Sequence, residues 1–313
     1  MLAVGSMVGG VSAMRSARSV VKARGYGSPM RVSAVQMVAT ADRAGNLDVA
    51  TRGVEQAVCD DADLVVLPEL FNLLGSSAVM AAGAEPLDGP SVTWACSTAR
   101  ESNVWLLAGT ITEDIPDEQR SYNTSCLVSP AGEIVARYRK VHLFDNEVAG
   151  AAYRESATVA PGDELVTAEL HDHTVGLATC YDLRFPEHFR VLTLAGADLF
   201  VVPSAFTHAT GSHHWETLLR ARAIENQCFI VAANQVGIGG IDIALHGRSM
   251  IVDPWGTILA EASLHGEHPD RGDRDLRDVE VVTADLDLDR LHDVRQQLPA
   301  LAHRRPDVYG WPE

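Results

Sequence analysis

Gly176-Leu-Ala-Thr-Cys180-Tyr-Asp-Leu-Arg184-Phe-Pro186-Glu187 is the stretch whose reading decides the fold. Its first part is an apolar strand that ends in a thiol. Pro186 suits the first turn of a helix, where the missing N–H would have been unbonded anyway. A strand, a sharp elbow carrying a reactive side chain and a helix at once afterwards read as one β-α unit.

Outward from it the same alternation runs from Met30 to the end of the chain. Short β-branched runs predict strands at 31–37, 63–67, 104–109, 122–129, 133–138, 174–179, 198–203, 228–234, 249–253 and 279–284. Longer periodic segments predict helices at 46–60, 91–101, 186–195, 215–226 and 287–296. Pro130-Ala-Gly-Glu133 and Pro254-Trp-Gly-Thr257 each fall between two strands and read as hairpin turns. The order implies a mixed-sheet α/β (α+β) fold, layered helix–sheet–sheet–helix. No repeat or linker divides residues 30–313, which read as a single domain, and the charged stretch 263–277 reads as a solvated loop.

The chain has 313 residues and a formal net charge of −17, with 46% hydrophobic and 21% charged residues, an ordinary globular composition. An acidic body argues against phosphate-backbone binding and equally against an anionic membrane surface. No run of 18 apolar residues exists to span a bilayer. Residues 1–29 carry Arg15, Arg18, Lys22 and Arg24 with no acid and no clean apolar core. They are expected to be a flexible leader outside the fold. An early start codon or an artificial extension explains them better than a transit peptide, because Met30 directly precedes the first strand. Five widely spaced cysteines with no CxxC pair point to a reducing, cytosol-like compartment.

Three stretches carry chemistry. A thiol at the Cys180 elbow meets turn amides and the positive end of a helix, which favour thiolate and supply oxyanion donors. The ordinary fate of a free cysteine, burial without chemistry, suits Cys59, Cys96, Cys126 and Cys228 better. In Leu64-Val-Val-Leu-Pro-Glu69-Leu-Phe71 an apolar strand runs into a carboxylate flanked by Leu and Phe. Partial desolvation there turns an acid into a base near neutrality. In Arg137-Tyr-Arg-Lys140-Val-His-Leu-Phe-Asp145 a basic edge strand would account for the arginines. It does not account for Lys140, because after Lys22 it is the chain's only lysine, against 23 arginines. A compact ammonium stabilises a nascent oxyanion more locally than a guanidinium can.

At these residues the chain resembles the nitrilase superfamily of carbon–nitrogen hydrolases, whose Glu–Lys–Cys triad Glu69, Lys140 and Cys180 match in order and local motif. Glu155, in Arg-Glu155-Ser-Ala-Thr-Val-Ala-Pro161-Gly162, matches the superfamily's second glutamate. The resemblance spans Met30 to Tyr309. It implies an α-β-β-α sandwich, no metal or organic cofactor, and a homodimer or higher oligomer that extends the sandwich across its interface. Pro203-Ser-Ala-Phe-Thr207, Leu218–Glu225, His246–Met250 and the tail His303–Gly310 resemble the branch of deaminated glutathione amidase and omega-amidase. The insert 145–150, before Glu155, departs from it.

What the resemblance implies is an amidase that cleaves the C–N bond of a small carboxylated amide through a Cys180 thioester and releases ammonia. Glu69 is the base, Lys140 and the Tyr181 N–H hold the oxyanion, and Glu155 orders the site. Ser204 and Thr207, in the matching stretch, are expected to touch substrate. Arg184, four residues past Cys180, suits a substrate carboxylate by its bidentate geometry, unless it pairs with Asp182 or Glu187 instead. His213 and His214 lack the carboxylate spacing of a metal site and read as core or interface packing residues. A nitrilase or N-carbamoyl-amine hydrolase, a silent scaffold and a Cys–His protease are the alternatives.

Overall fold

The computed structural model describes residues 29–148, 151–241, 243–264 and 279–308. The expected leader up to residue 28, most of the 263–277 loop and the end of the tail lie outside the described residues.

The chain opens with β1 (Met30–Gln36), α1 (Arg43–Cys59), β2 (Leu64–Val66), α2 (Ser77–Ala82), α3 (Pro90–Ser102) and β3 (Trp105–Leu107). A run of strands follows: β4 (Ile111–Asp114), β5 (Ser121–Val128), β6 (Ile134–Arg139), β7 (Asp145–Val148), β8 (Ala151–Arg154), β9 (Thr167–Leu170) and β10 (His173–Leu177). Then come α4 (Pro186–Leu194), β11 (Leu199–Val201), α5 (His208–Asn226), β12 (Phe229–Ala232), β13 (Val236–Ile238) and β14 (Ala244–His246). The last elements are β15 (Met250–Val252), β16 (Ile258–Glu261), β17 (Glu280–Leu286) and α6 (Leu288–Gln297). Pro90 and Pro186 each occupy the first turn of their helix, as the sequence at 186 implies.

Two sheets form. One runs β17-β1-β2-β3-β5-β4, with β6 on the other edge of β5, and the second runs β16-β15-β12-β11-β10-β9. At the heart of each, three strands are parallel: β1-β2-β3 and β10-β11-β12. Alternation along the strands sorts the side chains into three apolar layers. Val32, Ala34, Leu64 and Val66 meet Val175, Leu199, Val201 and Val231 between the sheets. Val35, Val65 and Leu67 point the other way, onto Val49 and Val54 of α1 and Val92 and Ala95 of α3. Phe200, Ile230 and Val252 likewise face Phe189 and Leu192 of α4 and Trp215 and Leu219 of α5. Burying each large side chain contributes about 1.5–3 kcal/mol. The result is the α-β-β-α sandwich.

The structure corrects some expectations. β4, β7, β8, β9, β13 and β14 are short or polar strands without the apolar alternation that marks a strand in sequence. α5 starts at His208 rather than 215, because its first two turns are polar and carry no helical stripe. His213 and His214 are exposed on it, so neither is a core residue of this chain. Cys59, at the end of α1, is exposed as well. Among the described residues no helix is long and apolar enough to cross a membrane.

Candidate active site

The inner parallel strands end on the same side, and ligands in such sheets gather beyond the carboxyl ends of the strands. Past β2, Leu70 adopts φ +54° and its N–H donates to Thr110 Oγ1 at 2.9 Å. Gly109 sits so close to the Pro68 carbonyl that a Cβ would lie 2.0 Å from it, so only glycine lets these two chain ends meet. That turn throws the Glu69 side chain inward. Its Oε1 accepts from Lys140 Nζ (3.0 Å) and Asn123 Nδ2 (2.8 Å), and its Oε2 accepts from the Ala205 N–H (2.8 Å).

Lys140 lies just past β6, its N–H bonded to the Asn123 carbonyl (2.9 Å). Gly162 accepts close contact on that side: its N–H donates to the Lys140 carbonyl at 2.9 Å, and a Cβ there would strike the Arg139 carbonyl at 2.2 Å. Lys140 Nζ also bonds both oxygens of Glu155 (3.0 and 2.9 Å). The Phe144 N–H donates to Glu155 Oε2 at 2.6 Å. Burial works against the Lys140 charge, but the Glu155 and Glu69 carboxylates outweigh it and hold its pKa well above the usual lysine value.

Past β10, Cys180 adopts φ +46°, a left-handed conformation that a side-chain-bearing residue keeps only when its surroundings over-determine it. Its N–H is bonded to the Pro203 carbonyl (3.0 Å). The 3-10 turn Cys180–Arg184 begins its internal bonding at Asp182, whose N–H donates to the Thr179 carbonyl (3.0 Å). The Tyr181 N–H therefore belongs to the first turn, which such a helix leaves unused. Burial and the Glu69 charge push the Cys180 thiol well above its ordinary pKa, against a smaller opposing pull from Lys140. That shift favours the neutral thiol at rest, against the thiolate-favouring pull expected of the elbow, so a nearby base must take its proton.

Asp182 ties these parts together. Its buried carboxylate accepts from Tyr138 Oη (2.6 Å), the Thr179 N–H (2.7 Å), the His142 N–H (3.2 Å) and His142 Nδ1 (2.7 Å). Burial opposes its charge, but these donors and nearby His188 hold its pKa below the usual aspartate value. His142, Asp182 and His188 lie close enough to share a metal ion. The Asp182 lone pairs are already spent on those four donors, so the cluster works as a clamp between the Lys140 loop and the Cys180 elbow. Asp182→Asn, which keeps the shape but loses acceptors, is expected to cost roughly 3 kcal/mol. Because the folded-state pKa is depressed, this contribution is present above the unfolded aspartate pKa and is lost as pH falls through the folded value. Urea titrations from neutral to acid pH check this, since wild type and variant should converge on acidification.

Glu69, Lys140, Glu155 and Cys180 converge on one cavity of about 360 Å³, further lined by Phe144, Phe206, Thr207 and Thr210. Tyr181 and Thr207 line it. Ser204 does not. It is fully buried, its Oγ turned to the Val202 carbonyl (3.4 Å), because a bridge to Asn234 prolongs the β11 pairing through it. Arg184 also stands off the lining, its guanidinium over the Tyr181 and Phe206 rings and 3.2 Å from His214 Nδ1. Neither Asp182 nor Glu187 pairs with it among the described ion pairs. Arg154, exposed, reaches the cavity mouth instead. Sequence reasoning missed Asn123, whose Nδ2 bonds Glu69 and also Glu155 (3.3 Å), and Gln235, which donates to the Glu69 carbonyl (2.7 Å).

The carbon-nitrogen hydrolase family model matches residues 31–296. The chain belongs to the carbon-nitrogen hydrolase family. This hydrolase is 40% identical over 280 residues to a deaminated glutathione amidase from Synechocystis sp., covering 88% of this chain and 98% of that protein. An omega-amidase from Mus musculus is 34% identical over 283 residues, covering 90% of this chain and 97% of that protein. Among solved structures, Saccharomyces cerevisiae Nit3, a nitrilase-superfamily member, matches with a TM-score of 0.77 and 32% identity, over 89% of this chain and 97% of that one. The hydrolase therefore acts on C–N bonds of the amide type, on the sandwich described above.

Proposed function

We propose that this hydrolase cleaves the amide of a small carboxylated acyl compound, a 2-oxo acid ω-amide or deaminated glutathione, through a Cys180 thioester. The observation that carries the reading is the convergence of Glu69, Lys140 and the Cys180 thiol on one cavity wall, beside the unused Tyr181 N–H. Glu69 takes the Cys180 proton as sulfur attacks the carbonyl carbon. Lys140 Nζ and the Tyr181 N–H receive the oxyanion. On collapse the C–N bond breaks, and protonated Glu69 gives its proton to the departing nitrogen. Water, deprotonated by Glu69, then cleaves the thioester, releasing the acid and returning the proton to sulfur. Glu155 keeps Lys140 aimed throughout. Thr207 and Thr210 offer hydroxyls to the acyl carboxylate, and Arg184 behind Tyr181 and Phe206 adds positive potential.

The leaving group is ammonia from a primary amide and an amine from a substituted one, which refines the expectation of ammonia alone. 2-Oxoglutaramate and deaminated glutathione share the 2-oxoglutaryl acyl half, so 2-oxoglutarate is the product to measure for both. It is expected from each, at a kcat/KM at least ~100-fold above that for a nitrile or an N-carbamoyl amine. A better rate on either of the latter two would overturn the reading.

The five free cysteines fit a reducing, cytosolic setting. Exposed Val191 and Leu194 on α4 and Ile224 on α5 offer an apolar face to a second copy, extending the sandwich. Light scattering on the same preparation, giving at least twice the chain mass of 33.6 kDa, checks that assembly.

A further inference from the structure

A second cavity, of about 270 Å³, lies beside the catalytic one and shares Leu70, Leu74, Ser77, Glu155 and Thr158 with it. Two of these sit next to the machinery: Leu70 follows Glu69 in the chain, and Glu155 bonds Lys140. The linings differ in chemistry. The catalytic cavity is walled by Phe144, Phe206 and Leu245 among others, whereas the second presents Asp114, Glu118, Arg120, Ser121 and Tyr122.

We propose that this second cavity is the subsite for the amine half of the substrate, and that it takes an amino-acid or dipeptide amine. The inference rests on the amidase reading and names which amides it favours. The carbonyl carbon must reach Cys180, and the nitrogen must reach Glu69, which protonates it. A substituent on that nitrogen is then led past Leu70 and Glu155, the wall common to both cavities. Asp114 and Glu118 accept N–H donors of a peptide-like amine. Arg120 receives its terminal carboxylate, because its only ion-pair partner among the described pairs, Glu118, stands 3.7 Å away on a half-exposed side chain. A primary amide uses the first cavity alone.

The test uses two alkylating probes that differ only on the amine side, chloroacetamide and N-chloroacetylglycine. In each, Cys180 sulfur bonds the methylene carbon, chloride leaves and Glu69 takes the thiol proton. Peptide-level mass spectrometry separates Cys180 from exposed Cys59. Ala81→Phe fills the second cavity from exposed positions of α2 and should lower the N-chloroacetylglycine to chloroacetamide rate ratio about tenfold. Arg120→Gln, at the surface, should lower it several-fold. A ratio that holds in Ala81→Phe overturns the subsite, and one that holds only in Arg120→Gln overturns the carboxylate contact. Labelling does not require turnover of any natural amide. Loss of 2-oxoglutarate formation would thus sink the amidase reading without deciding the subsite.

Discussion

Cys180→Ala abolishes turnover in the mechanism above, with a loss of roughly 10⁴-fold or more in kcat, because no covalent intermediate can form. The fold should barely register the change. Cys180 and alanine both carry a Cβ, so the strain of φ +46° is the same for each, and the removed sulfur is a single buried atom. Thermal unfolding within about 1 kcal/mol of wild type, with substrate binding retained in calorimetry, separates lost chemistry from lost structure. Cys180→Ser is expected to be almost as inactive. The thiol is already pushed up by burial and by Glu69, and a hydroxyl in the same position is far harder to deprotonate. Near-wild-type product formation by Cys180→Ala would remove the thioester route altogether. Alkylation must be compared with this variant, since Cys59 is exposed and will react too.

Glu69, Lys140 and Cys180 were legible because each stands at or near the end of a readable strand, in a local sequence odd enough to ask for a reason, whereas Glu155, behind the polar strand β8, was reached only through the family resemblance. Asn123 was not. Its role depends on the pairing of β5 with β6, which sets Thr124 against Arg139 and so places Asn123 beside Lys140. No local pattern in Ser121-Tyr-Asn-Thr124 announces that register. The Asp182 clamp hides for the same reason, joining Tyr138 and His142 to residues some forty positions on. Ser204 failed in the opposite sense: the matching stretch put it at the substrate, while the bridge to Asn234 continues the strand pairing through it and buries it. The sandwich itself was readable because its sheets alternate so regularly between the inter-sheet core and the helices. The short strands around the cavity owe their pairing to the scaffold rather than to their own composition.

Lys140→Met should damage both stability and rate, and for one electrostatic reason. The ammonium bonds Glu69 and Glu155 together, and Asn123 Nδ2 also reaches both, so the two carboxylates share one small buried space. Without the cation, two uncompensated negative charges remain out of water, a loss of about 3–5 kcal/mol. The pair can relieve its repulsion only by sharing a proton. The folded variant then binds a proton the unfolded chain does not, so its stability falls as pH rises. The gap from wild type in urea should therefore be smaller at pH 5 than at pH 8. A gap that grows on acidification would show that the two carboxylates do not face each other. On the rate side, a lost oxyanion donor alone costs roughly 100–1,000-fold. A proton shared with Glu155 further blunts Glu69 as the base, so kcat should fall beyond that range. Lys140→Arg keeps the charge and tests the geometry. A guanidinium is too broad for a site that encloses the ammonium almost completely, and it should recover stability at low pH contrast without recovering kcat. If arginine restores both, charge alone is what this position supplies, and the argument for a compact donor at the oxyanion fails.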